Sequence, residues 1–308
     1  MPPLDFGWVI QPTPWPNMVP ADLWAYNQAA IRLLSPDFST LWVEDHLQWS
    51  DRPTLEAFST MSYLAAAYPR FRIGSIVFGQ GYRNPALLAK MAATLHYLSG
   101  GRFVLGIGAG WKEDEHRAYG YPFAPGAARV AQLAEAVAVM RALWTHSPAT
   151  FRGRYYSVEN AYCEPRPSPA IPLHIGGAGE KATLGVVARY ADAWNFNLGG
   201  PDTLRKKLAI LRAHCEAVGR DIREIALTYY TMIDLAPRAN APAVSKDFCY
   251  LLGPTPADAV AQLLPFIQLG VSHILLRTAN LETIERFSAE VAPALRREAG
   301  QLVEVGRA

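Results

Sequence analysis

Glu44, Asp45 and His46 follow one another directly after Leu41-Trp42-Val43, and Trp49 stands three residues further on. Leu41 to Val43 read as the close of a buried strand. A strand core has no use for three ionisable side chains in succession, because buried charge is costly unless paired. The chemistry this group offers is proton transfer: imidazole titrates near neutral pH, which makes His46 the candidate general acid or base. Asp45 reads either as its partner or as a cap for the segment after it. A histidine beside an acid at a strand end also serves as an ordinary hydrogen-bonded structural residue.

Glycines supply the second chemistry. "HIGGAGEKAT" places Gly176, Gly177, Ala178 and Gly179 before a helix start, where free backbone N–H groups and the helix dipole attract phosphate. A tight turn needing small residues would look the same. "LGIGAGW" holds Gly106, Gly108 and Gly110, but Trp111 stands where a dinucleotide fingerprint needs its third glycine, so that motif fails. No HExxH or His/Cys spacing suggests a metal, and none is expected.

Elements must carry these residues to one place. Strand-like and helix-like runs alternate along the chain: strands at 4–10, 40–45, 72–78, 102–108, 172–177, 193–197, 224–233 and 273–278, each followed by a helix. Asn84 before Pro85 and Asp202 after Pro201 read as caps, and glycines at 100–101, 219 and 270 stand where helices should stop. Eight right-handed strand–helix units close into a (β/α)8 TIM barrel. The proline-rich stretch 147–171 reads as an insertion after helix 4, and 236–254 as a second after strand 7. No composition shift divides the chain, so 1–308 reads as one domain. In such a barrel the strand ends form the active mouth. Those ends bring Trp8, Gln11, Trp15, Trp49, Asn197 and Arg277 to a substrate side suited to a flat ring, and Arg277 could meet an anion or join an ion pair.

Half the 308 residues are apolar and 18% charged, with a net charge of +2 and no long basic run, which speaks against nucleic acid. No segment approaches the roughly 20 consecutive apolar residues of a membrane span. The start carries no signal-peptide pattern. Cys163, Cys215 and Cys249 are scattered, as reduced thiols of a cytoplasmic protein would be.

Three long segments carry a resemblance: 82–123, 164–195 and 214–221, in that order. Together they resemble the luciferase-like monooxygenase superfamily, within it the branch that uses the deazaflavin coenzyme F420. The resemblance implies that Asp45 and His46 border the deazaflavin ring with Trp49 nearby. It implies that "GSIVFG" carries a non-prolyl cis peptide at Ile76–Val77, a bulge behind the ring, and that Gly176 to Gly179 hold phosphate. Gly108, Gly110 and Trp111 fall on the cofactor side. The sugar-phosphate dehydrogenases of this branch carry a proton-donating glutamate after the strand-4 GxG. Here that position is Trp111, with Asp114 and Glu115 a turn later, which favours a more apolar substrate.

The leading expectation is therefore an F420-dependent oxidoreductase moving hydride to or from a small, partly apolar organic molecule, with His46 exchanging the proton. A homodimer is usual for the resembled family. The alternatives are an FMN-dependent monooxygenase fed by a separate reductase, and a flavin-binding barrel without turnover.

Overall fold

A computed structural model describes residues 4–197, 199–235 and 251–305, and the expected insertion after strand 7 lies mostly outside them. Eight parallel strands close on themselves: β1 (Asp5–Val9), β2 (Phe38–Val43), β3 (Arg72–Ser75), β4 (Phe103–Gly108), β5 (Leu173–Gly176), β6 (Ala193–Phe196), β7 (Ala226–Ile233) and β8 (Val271–Arg277). Closure is visible in the register, with Trp8 of β1 opposite both Leu41 of β2 and Leu276 of β8. Tyr230 of β7 stands opposite Leu275 of β8. The expected (β/α)8 barrel is the fold.

The helices that return the chain are α1 (Leu23–Leu33), α2 (Ala57–Ala67), α3 (Pro85–Leu98), α4 (Gly126–Thr145), α5 (Thr183–Tyr190), α6 (Pro201–Ala217), α7 (Pro256–Gln268) and α8, which runs from Leu281–Arg286 through a π turn into Ala292–Val305. Asn84 caps α3 by accepting from Ala86 N–H at 2.9 Å. Asp202 does not cap α6; the helix begins at Pro201, so Asp202 lies inside its first turn. Gly219 (φ +68°) and Gly270 (φ +100°) end α6 and α7 in the left-handed conformation that glycine adopts without steric cost.

Strand alternation sorts side chains into two layers. Phe6, Trp8, Leu41, Ile73, Phe103, Leu105, Ile175 and Trp194 pack outward against the helices. Val9, Trp42, Val104, Tyr230 and Leu275 fill the barrel interior with Ile76. Trp42 lies across that interior because Gly7 and Gly74 leave room; a Cβ on either would sit 2.4 Å from the indole. Its Nε1 donates to His273 Nε2 at 3.2 Å, and His273 Nδ1 bonds Asp5 at 3.0 Å. Burial pushes the neighbouring His174 down to about 3, so this floor holds a neutral imidazole. Among the described residues the lower barrel is thus filled, which turns attention to the C-terminal mouth.

The insertion after α4 contains an antiparallel hairpin, Ala149–Arg152 with Ser157–Ala161. Glu135 of α4 pins its turn by accepting from the N–H groups of Arg154, Tyr155 and Tyr156 at 2.9, 2.7 and 3.1 Å. Tyr156 then donates to Gln80 at 2.9 Å, tying the insertion to the segment that follows β3.

Candidate active site at the barrel mouth

Strand β2 ends at Val43, so Glu44, Asp45 and His46 lie just beyond it, at the mouth. The three side chains go three ways. Asp45 is buried and takes a two-pronged bond from Arg83, at 2.8 and 3.0 Å, with Gly79 N–H at 2.9 Å. Glu44 accepts from Arg277 at 2.7 Å and from the Tyr230 hydroxyl at 3.0 Å. His46 places Nδ1 2.8 Å from Glu115 Oε1. The partner of His46 is therefore Glu115, a residue from the short helix Glu113–Ala118 after β4, and not its neighbour Asp45.

Glu115 is fully buried, an unusual place for a carboxylate unless it is paired. Its second oxygen accepts from the Tyr82 hydroxyl at 2.7 Å and from Leu47 N–H at 3.2 Å, and Lys112 Nζ stands 3.4 Å from the first. Burial alone would push the His46 imidazolium down. The bond to Glu115, with the charges of Glu44, Glu115 and Asp45, outweighs it and holds His46 above the ordinary histidine value. Burial likewise works against the Glu115 charge, and the His46, Tyr82 and Leu47 donors bring its carboxyl below the usual range. Burial and the adjacent Glu115 raise Tyr82, which stays a neutral donor. Both members of the pair thus favour their charged forms. With Nδ1 engaged, Nε2 is the ring nitrogen left to exchange a proton.

Aromatic rings surround this imidazole. Trp49 and Trp111 meet it edge to face, with centroids at 5.1 and 5.8 Å, and lie 6.3 Å from each other. Trp111 is half exposed, an apolar plate at the entrance. Across the mouth, the Arg277 guanidinium sits 5.5 Å from the Trp15 ring and 5.6 Å from Tyr230.

The Ile76–Val77 peptide is cis, at the bond the resemblance implied. It interrupts β3, and the chain pairs with β4 again at Phe78 and Gly79. The neighbouring glycines make room: a Cβ on Gly106 would lie 1.9 Å from the Ser75 carbonyl, and one on Gly108 or Gly176 would lie 2.9 Å from Val77. Ser75 bridges the gap, donating to Gly106 O at 2.7 Å and accepting from Gly106 N–H at 2.9 Å. Gly108 and Gly176 therefore serve the bulge first.

The segment 176–179 precedes its helix by a turn, since α5 begins at Thr183. Gly177 adopts φ +113° and its carbonyl accepts from Trp194 at 2.8 Å. Beyond it opens a cavity of about 390 Å³ lined by Ala178, Gly179, Lys181 and Thr183 on one side and by Gly126 and Ala127 on the other. The starts of α4 and α5 thus border one open, largely apolar-lined space that also carries Glu180, Lys181 and Lys207.

Other expected site residues stand elsewhere. Trp8 packs outward into the helix layer, because Gly7 and Val9 take the inward positions of β1. Gln11 is buried in the loop after β1, its amide donating to the Thr13 carbonyl. Asn197 is partly buried one residue past β6, and Gly110 (φ +75°) turns the chain toward Trp111. Sequence reasoning assigned no site role to Glu115, Arg83, Tyr82 or Tyr230. For Glu115 the signal was weak: in "KEDEHR" an acid reads as solvated surface.

Comparison with known proteins places this mouth in context. The profile of the luciferase-like monooxygenase family matches residues 4–304. An F420-dependent glucose-6-phosphate dehydrogenase of Intrasporangium calvum is 30% identical, over 84% of this chain and 91% of its own. An F420-dependent secondary alcohol dehydrogenase, solved with an F420–acetone adduct, superposes with a TM-score of 0.79 at 20% identity, covering 95% of this chain and 99% of that one. The EDTA monooxygenase of Chelativorans sp. BNC1 gives 0.78 at 14% identity, covering 96% and 94%. At these identities the solved structures share the fold.

Proposed function

The chain belongs to the luciferase-like monooxygenase family, and we propose that it acts as a single-domain coenzyme F420-dependent oxidoreductase on a small, uncharged, partly apolar organic substrate. The observation that carries this reading is the buried His46–Glu115 pair at the barrel mouth, walled by Trp49 and Trp111. The F420-dependent activity of the 30% identical relative supports the cofactor. When bound, the deazaflavin supplies the hydride donor or acceptor. Ile76–Val77, Gly108, Gly110 and Trp111 would border it, and the Gly176–Gly179 segment with Gly126 and Ala127 would hold its phosphate.

The chain's own residues do the rest. His46 delivers a proton to a substrate oxygen, nitrogen or carbon as hydride arrives, or takes one as hydride leaves. Trp49 and Trp111 exclude water and offer flat apolar walls.

Uncharged substrate is the choice because Arg277, the cation that ends β8, already has Glu44 at 2.7 Å. A phosphorylated sugar would have to displace that carboxylate or sit beside it. With F420 loaded, neutral alcohols, ketones and enones are expected to change the deazaflavin absorbance, with kcat/KM at least about tenfold above glucose 6-phosphate for the best of them, roughly 1.4 kcal/mol in barrier. A higher kcat/KM for glucose 6-phosphate than for every neutral compound would reverse the substrate assignment.

The quaternary state we propose is a homodimer. Between α2 and α3 lies an outward groove of about 500 Å³ lined by Phe58, Met91 and Leu95, and Tyr63, Leu87, Tyr97 and Leu98 are exposed on the same two helices. Exposed apolar side chains beside an apolar groove are the kind of surface an interface covers. Sedimentation as a monomer at micromolar concentration would dismiss it.

A further inference from the structure

Glu115, like Asp45, has no exposed side-chain surface at the mouth. It anchors no strand and caps no helix. Its three hydrogen-bond partners are His46 Nδ1, the Tyr82 hydroxyl and Leu47 N–H, two of which belong to the His46 segment itself, and Lys112 Nζ stands 3.4 Å away as an ion pair. The carboxylate grips that segment twice, once by backbone at Leu47 and once by the imidazole. A ring held at Nδ1 cannot rotate freely, and a bound anion at that nitrogen favours its N–H form.

We infer that Glu115 is the positioning residue of the reaction: its carboxylate holds His46 at Nδ1 and the His46 segment at Leu47 N–H, fixing the ring so that Nε2 is the atom that exchanges a proton with substrate. The inference rests on the reading of His46 as the proton-exchanging group. It does not rest on substrate identity.

The charges around the imidazole give the expectation its sign. On its own segment His46 has Glu44 and Asp45, each engaged by an arginine, Arg277 and Arg83. From the loop after β4 come Glu115, with Lys112 and Asp114 paired at its edge. From the segment after β3 comes Tyr82, raised and therefore neutral. Glu115 is the acid in direct bond to the ring, so its charge weighs most. Lys112 acts in the opposite direction, repelling the imidazolium and competing for Oε1. The raised pKa of His46 agrees with that balance.

Glu115→Gln separates charge from packing, because an amide of the same shape keeps a carbonyl for Tyr82 and Leu47. NMR titration of labelled histidine in the cofactor-free protein should show the His46 pKa falling by about one unit or more in this variant, the usual scale for losing an adjacent opposite charge. The alkaline limb of the kcat profile should move down with it, while KM changes little. A His46 pKa within about 0.3 unit of the parent overturns the inference. A pKa that falls while the rate profile stays in place leaves Glu115 as the residue that charges His46, overturns its place in the reaction, and also removes His46 from the proton-transfer step. Should Glu115→Gln fail to fold, Lys112→Met carries the same test with the opposite sign. There the His46 pKa should rise, and an unchanged or lower value overturns the inference.

Discussion

Replacing His46 with alanine is expected to lower turnover per folded, cofactor-loaded site by about 10²-fold or more, the usual scale for losing a general acid or base. Cofactor affinity should change much less, because the space between the starts of α4 and α5, where the cofactor phosphate is proposed to sit, is built by other residues. The variant also strands Glu115, whose carboxylate loses its bond at 2.8 Å but keeps Tyr82, Leu47 and Lys112. Some loss of stability is therefore expected alongside the loss of rate. Counting only folded, loaded sites removes that contribution. A rate within about threefold of the parent, some 0.7 kcal/mol in barrier, would make His46 a packing residue.

The second large effect is on stability. Arg83→Met is expected to cost about 3–5 kcal/mol, the range for removing one partner of a buried ion pair. Asp45 has no exposed side-chain surface, and Arg83 supplies two of its three hydrogen bonds. Arg83 also reaches Glu56 at 2.7 Å, the residue that caps α2, so one guanidinium joins the loop after β2, the start of α2 and the segment after β3. Methionine keeps an apolar stem but removes the guanidinium, and with it the bonds to Asp45 and Glu56 and the contact over the Phe78 ring. Adding Asp45→Asn should recover part of the loss, since the neutral amide no longer leaves a buried charge alone. Urea unfolding measures both variants, and a loss under about 1 kcal/mol for Arg83→Met would mean that Asp45, whose carboxyl is already pushed up by burial, takes a proton or is screened by water.

How much of the fold and site could be read from residues alone depended on the range of the interaction. The strands were legible because apolar runs of four to eight residues between glycine and proline signals leave little else for the chain to do. Their exact ends were not: β2 stops at Val43 instead of Asp45, because the ladder ends where the polar side chains begin to find partners outside it. The facing of Trp8 was readable in principle, since a glycine at position 7 is needed to admit Trp42 into the interior, but that demand comes from another strand.

The site was half legible. His46 stood out as an imidazole at a strand end. Its partner did not, because a six-residue helix is too short for periodicity to show which side is buried, and Glu115 sits among Lys112, Glu113 and Asp114. Asp45 and His46 are adjacent in the chain yet point to different partners, one behind the mouth and one within it. The glycines at 176–179 were found locally, whereas Gly126 and Ala127 join them only because helix α4 returns the chain to β5. The position of the cis peptide came from the resemblance; no property of Ile76 or Val77 alone encodes it.

On the proposed cofactor assignment, the mouth should choose a deazaflavin over an ordinary flavin. The most direct measurement is parallel titration of the apo-protein, purified from a host that makes no deazaflavin, with coenzyme F420 and with FMN. Binding of F420 at least about tenfold tighter, a difference of roughly 1.4 kcal/mol, is the expected result. Equal or tighter binding of FMN, with oxygen consumed when a flavin reductase is supplied, would contradict it and make the protein a two-component monooxygenase.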